Sequence, residues 1–335
     1  MRAANSEFQR GVSLIELMIA LVIGLFLILG AVTVYNQSRR TYQASEAVAR
    51  LQESARLAME VIEADVRMAD FWGMSNRADI IENRAGPGES PPATFSAAQQ
   101  ANVSTCGAAG SNWVIDLDEY IDGSNDAYTL QCAASSYAAG TDVLVVRRAS
   151  ETLATTLDPN RVYLQTSRIL GTLFVPTAGC TDATDPACIP AAYLPPASQS
   201  RALEARAYYV SSQSTLRNDV PSLRRKRFAN VNAAGGNVMV DEEIVPGVED
   251  MQVRFGIDTN ADTNVDQYVA PGAVPANAQV ISATIWLRVR AEDADVGHRD
   301  ETAYQYGGMA AAVTPNDNYR RIVVSKTIQI RNTRA

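Results

Sequence analysis

Three sets of residues have types and spacings that could do chemistry. The first is a lone carboxylate. Glu16 is the single charge in the 24-residue apolar run from Val12 to Tyr35. An ionised side chain there is costly, so it either has a partner or lies near enough to the run's end to reach water. The second is an alternating series, Asp258, Asn260, Asp262, Asn264 and Asp266, within DTNADTNVD. Oxygen ligands at positions 1, 3, 5, 7 and 9 are what calcium takes in an EF-hand-like frame. Thr263 stands where that frame has glycine, and Val269 where it has a bidentate glutamate. The bland reading is an exposed Asx-rich loop between two strands. The third set is Cys106, Cys132, Cys180 and Cys188. With no C-x-x-C and no histidine nearby, zinc is a poor reading and disulfides a good one for an exported domain. Four cysteines allow three pairings. Cys106 with Cys132 and Cys180 with Cys188 each close a local loop and are favoured.

Other chemistry is disfavoured by what the chain lacks. The sequence of 335 residues has one histidine, His298, and no G-x-S-x-G, H-E-x-x-H or paired Cys and His. It has no G-x-x-x-x-G-K-[ST] loop either. An enzyme is therefore not expected. With 29 basic and 37 acidic residues the net charge is −8, which argues against nucleic acid as a partner. The one basic cluster, Arg224, Arg225, Lys226 and Arg227, reads as a solvated strand edge. Asp116, Asp118, Glu119 and Asp122 read as surface charge, and His298 as part of a surface loop.

The elements that must position these residues fall into two unequal parts. All 14 prolines lie at or after Pro87. As a helix the Val12–Tyr35 run is about 36 Å long, enough to cross a hydrocarbon core of about 30 Å. It is too long for the apolar region of an ordinary secretory signal. Arg2 and Arg10 before it and Arg39 and Arg40 after it leave orientation open. The helix is expected to continue, because Val48, Leu51, Ala55, Ala58, Ile62, Val66 and Ala69 recur at helical spacing. Glu46 with Arg50 and Glu63 with Arg67 lie i,i+4 on its other face. Gly73 is the expected stop.

Residues 76–92 read as loop. Strand-like runs follow at Asp142–Arg148, Ala205–Ser211, Leu223–Phe228, Val238–Val245, Met251–Gly256, Val280–Arg290 and Arg321–Ile330. Ile281, Ala283, Ile285, Leu287 and Val289 share one face of the longest, and Leu223–Phe228 is expected to pair with Ala205–Ser211. One long helix followed by strands predicts an α+β fold, the helix packed on a C-terminal antiparallel sheet.

Residues 9–18, QRGVSLIELM, closely resemble the class III signal of type IV pilins and type II secretion pseudopilins. The resemblance implies a leader over residues 1–11, cut by a prepilin peptidase between Gly11 and Val12, with N-methylation of Val12. Glu16 becomes the fifth mature residue and pairs with a neighbouring subunit's amino terminus. The family usually has phenylalanine where Val12 stands. AYYV at 207–210, the stretch 244–269 and the strand 280–290 resemble the PilW-type minor pilins, and more distantly the J-type minor pseudopilins.

This implies a type IV pilin-like fold. It divides into a transmembrane half at 12–35, an amphipathic half at 36–73 and a soluble domain at 74–335, with a disulfide-containing insert at about 94–202. The implied function is a minor pilin that helps prime assembly of a type IV pilus and sits in it or at its tip, serving twitching motility and adhesion. A minor pseudopilin of type II secretion is the nearest alternative. The implied partners are other minor pilins and the major pilin through the amino-terminal helices, the prepilin peptidase, the inner-membrane assembly platform and a PilY-type tip adhesin. The implied location is the bacterial inner membrane, single-pass with a periplasmic domain, and then the extracellular fibre. Comparable Asp-rich loops in such pilins favour Ca2+ at 258–266.

Overall fold

The computed structural model describes residues 11–85, 94–108, 110–193, 197–233 and 237–333. Residues 1–10 of the expected leader at 1–11, and Pro87, Pro91 and Pro92, lie outside the described residues. The chain divides into two compact units, residues 1–49 and 50–335. One helix, α1 (Leu14–Arg67), begins in the first and ends in the second. In the first unit its apolar residues are exposed, from Leu14 through Val34. No glycine or proline break interrupts it at Gly24 or Gly30.

The part of α1 in the second unit buries one stripe: Leu51, Ala55, Ala58, Met59, Ile62, Asp65 and Val66. This is the periodic face read from the sequence, with Met59 and Asp65 added to it and Val48 left exposed. The helix ends at Arg67, six residues before the expected stop. Its last turn tightens through three-residue bonds from Met68 N to Asp65 O and from Ala69 N to Val66 O. Asp70 then turns left-handed, with φ of 61°, and accepts a bond from the buried Trp72 Nε1 at 2.7 Å. Burying that indole takes the chain out of the helix before Gly73.

Among the described residues twelve strands form two sheets, where one was expected. The larger contains β1 (Ile81–Glu82), β2 (Ile121–Ser124), β3 (Val143–Ala149), β4 (Tyr163–Thr166), β5 (Gly171–Phe174), β6 (Gln199–Ser211), β7 (Ser222–Phe228) and β8 (Met239–Pro246). Its order is β1-β5-β4-β6-β3-β2, with β7 added to β6 and β8 to β7. The smaller has β9 (Val248–Asp258), β10 (Gln267–Val269), β11 (Gln279–Arg290) and β12 (Arg321–Gln329) in the order β10-β9-β11-β12. Pairing is antiparallel except between β1 and β5.

The larger sheet is covered on both faces, which is why β3 is buried throughout. Leu144 and Val146 point into a core with Ile62, Val66, Tyr208, Phe255 and Leu287. Val143 and Val145 point the other way, into a core with Trp113, Ile115, Leu117 and Tyr209. The second core is roofed by α2 (Ala97–Val103) and the chain around the Cys106–Cys132 bond. The region read as an insert therefore supplies strands β2 to β5 as well as a cover. The second disulfide joins Cys180 to Cys188.

Three local readings change. A register shift between Val280 and Ser282 puts Val280 rather than Ile281 into the helix-facing core. The basic run 224–227 is no edge, because β7 lies between β6 and β8. Its cations face the acids of β8: Arg224 and Lys226 bond Asp241 at 2.9 and 3.0 Å, and Arg225 and Arg227 bond Glu242 at 2.7 and 3.1 Å. The acidic set near residue 119 is more than surface charge. Its chain wraps the fully buried Arg147, which donates to Trp113 O at 2.7 Å and to Glu119 O. Burial pushes the Asp116 and Glu119 carboxyls up. His298 is half-buried in a loop, its N–H bonded to Asp295 O.

Candidate functional site

The amino-terminal segment is built simply. Gly11, Val12 and Ser13 precede the helix, and Ser13 O accepts the first bond, from Leu17 N at 3.1 Å. Nothing lies within 4 Å of where a Gly11 side chain would begin, so the backbone there is open to approach. Glu16 falls in the first turn of α1. That places a carboxylate at the positive end of the helix dipole, beside N–H groups with no helical acceptor. Its neighbours Leu14, Ile15 and Leu17 are 79%, 67% and 54% exposed. None of the apolar span is buried within the chain. The surface is apolar all round, is carried on a helix long enough to cross a membrane, and displays one carboxylate near its start.

A second carboxylate on the same helix was not singled out in the sequence. Asp65 is 1% exposed. It accepts from Arg148 Nε at 3.0 Å and Nη2 at 2.9 Å, from Arg206 Nη1 at 2.7 Å and from the Tyr208 hydroxyl at 2.5 Å. Burial works against its charge, but the Arg206 and Arg148 guanidinium groups outweigh it and hold the carboxyl below the usual range. Glu204 bonds Arg206 at 3.2 Å and Arg161 at 2.6 Å, which balances the cations. This cluster fastens α1 to β3 and β6. The available signal was a carboxylate inside an otherwise apolar stripe, facing the AYYV tyrosine.

The Asp-rich loop links β9 to β10. Asp258 is buried at the end of β9 and accepts from the N–H groups of Asn260, Ala261 and Thr263 at 3.0, 2.7 and 2.7 Å. Desolvation pushes its carboxyl up, but those backbone donors prevail and hold it low. Asp266 accepts from Thr259 N and Oγ1. Asp262 accepts from Asn264 N at 2.8 Å, and Asn260 Oδ1 from Asp262 N at 2.9 Å. Ala261 and Thr263 are left-handed, with φ of 64° and 67°. Thr263 thus adopts the conformation for which an EF-hand uses glycine. Among the described residues no three His, Cys, Asp or Glu side chains are grouped to hold a metal. In this conformation Asp258, Asn260, Asp262 and Asp266 each accept from N–H groups of the loop itself.

A chain with an apolar amino-terminal helix and a β-rich carboxyl-terminal domain has the layout of a type IV pilin. Residues 8–32 match the model of the prokaryotic N-terminal methylation motif. Residues 207–332 match the model of the type IV pilus-assembly protein W family, PilW. No curated protein and no solved structure matches. Residues 207–332 are thus a PilW-family segment, and together with the methylation motif they support a type IV pilus minor pilin. The family segment runs from Ala207 in the middle of β6 through β7, β8 and the whole smaller sheet, so it includes Tyr208 and the Asp-rich loop.

Proposed function

We propose that this minor pilin helps prime assembly and is built into the pilus or its tip, with its helix engaging the helices of other minor pilins and the major pilin. The observation that carries this is Glu16: a carboxylate in the first turn of an exposed apolar helix, near the residue that becomes the amino terminus. Cleavage falls between Gly11 and Val12, Val12 is methylated, and the new ammonium of a neighbouring subunit pairs with Glu16. In a water-excluded filament core that pairing offsets the cost of burying the charge and fixes axial register. The chain starts in the inner membrane with its domain in the periplasm, and is processed by the prepilin peptidase. It then engages the assembly platform, and the exposed domain offers surface to a PilY-type tip adhesin. Twitching and adhesion are the processes it serves. Replacing Glu16 by Ala tests the reading. Leader processing should persist while incorporation and pilus number fall; normal piliation would remove the role.

For the loop at 258–266 we propose calcium in a rearranged form. Asp258 would exchange its backbone donors for the ion, and Asn260, Asp262, Asn264 and Asp266 would supply the remaining oxygens. Calorimetry on the full chain in detergent should then show heat on adding calcium, with an upward thermal shift. Absence of both removes the idea.

A further inference from the structure

The two sheets meet at one buried carboxylate. Asp142, just before β3, is fully buried. Its N–H donates to Met251 O at 2.8 Å, and its Oδ2 accepts from Val253 N at 2.7 Å. Backbone and side chain together therefore act as a strand partner for β9, across the seam between the sheets. Its Oδ1 accepts from Asp126 N at 2.8 Å, in the exposed turn between β2 and β3. Asp126 is left-handed, with φ of 53°, so this turn adopts a conformation that costs energy and is held by that bond.

Asp126 and, on β9, Asp250 lie close enough to push the Asp142 carboxyl up, and Tyr137 from the segment before β3 faces it. Glu249 of β9, Arg288 of β11 and Tyr306 of the following loop stand around Asp250. Arg288 is bound to Glu249 at 2.5 Å. Asp250 is itself buried and accepts from Tyr306 at 2.6 Å and from Gln252 at 3.1 Å. Among the described residues no Lys or Arg hydrogen-bonds Asp142. Two backbone donors thus favour its charge, while burial and two neighbouring carboxylates oppose it.

We propose that Asp142 is a proton-operated latch on the β2–β3 turn. Charged, it holds the turn through Oδ1 and the sheet seam through Oδ2. In mild acid a solvent proton adds to Oδ1, the oxygen that faces the exposed turn. The Asp126 N–H then loses its full acceptor and the turn is released, while the Val253 bond keeps the sheets joined. Burial pushes the Asp142 carboxyl up to about 6, against the pull of the Asp126 and Val253 donors, with Asp126 and Asp250 adding to the rise. An unfolded aspartate titrates at about 3.9, so the folded chain takes up this proton first. Through this group stability is greatest below about pH 4 and is lost as pH rises through about 6. The latch therefore opens without unfolding the domain.

Hydrogen exchange followed by mass spectrometry on the full chain in detergent, corrected for intrinsic rates between pH 7.5 and 4.5, tests this. Segments covering 124–127 should lose protection several-fold with a midpoint near 6, while those covering Val253 stay protected. Asp142→Asn, which cannot titrate, should abolish the midpoint. A flat wild-type profile, a midpoint in the ordinary carboxylate range, or an unchanged midpoint in Asp142→Asn overturns the proposal. Should the variant fail to fold, the wild-type midpoint decides between the same outcomes.

Discussion

Glu16 and Asp65 are carboxylates on one helix, both at sites an unpaired charge would not choose. Glu16 lies among exposed apolar residues, and among the described residues no hydrogen bond or ion pair from its own chain reaches it. Asp65 lies in the buried stripe and is met by two guanidinium groups and a tyrosine. The difference separates two uses of a costly charge. The domain satisfies Asp65 itself, so that charge fixes the fold. Glu16 meets no such partner in its own chain among the described residues, and the proposed role of that charge is assembly. Asp258 sides with Asp65, since its oxygens are met by its own loop.

The comparison can be broken most forcefully at Asp65. Asp65→Ala leaves Arg148 and Arg206 facing a void. Denaturant unfolding should show a loss of about 3–5 kcal/mol, the cost of stripping one partner from a buried ion cluster. A neutral result would mean that α1 is held by apolar packing. The same measurement against pH sharpens the point. The folded carboxyl is held below its unfolded value of about 3.9, so its stabilisation is present above about pH 4 and fades as pH falls through the lower, folded value. Asp65→Ala should flatten that acid limb. A smaller loss, about 1.5–3 kcal/mol, is expected for Tyr208→Phe, which removes one bond to a charged group and leaves the ring in place.

Smaller effects test the self-contained loop. Thr263→Gly should stabilise the chain by about 1 kcal/mol in a thermal melt, because a β-branched residue pays for its left-handed backbone. If that substitution destabilises, Thr263 makes compensating contacts. Lys326→Ala should matter least. The Lys326–Glu63 pair is 2.5 Å long but its lysine is half-exposed, so unfolding should shift by no more than about 1 kcal/mol.

Much of this was legible because it is local. The membrane-length run, Glu16, the amphipathic stripe from Leu51 to Val66 and the alternation of β11 are patterns within one segment. The rest depends on pairing at long range. β6 meets β3 and β4 on the way to β7, and nothing local in Tyr163–Thr166 or Gly171–Phe174 announces their place in its sheet. The RRKR run looked like a solvated edge because its partners, Asp241 and Glu242, stand on the next strand. Their opposite charges on consecutive strand-like runs were the readable signal. Asp65 was missed because its partners come from residues 148, 206 and 208, far along the chain. For Thr263, a departure from the expected glycine pointed to the position the backbone strains.

The most direct measurement compares Glu16→Ala with Asp65→Ala in one experiment, scoring thermal stability of the purified full chain and its incorporation into pili. Glu16→Ala should melt like the wild type and be processed but not incorporated, whereas Asp65→Ala should melt far lower. A Glu16→Ala chain that enters pili normally, or that melts as low as Asp65→Ala, would contradict the division of roles along this helix.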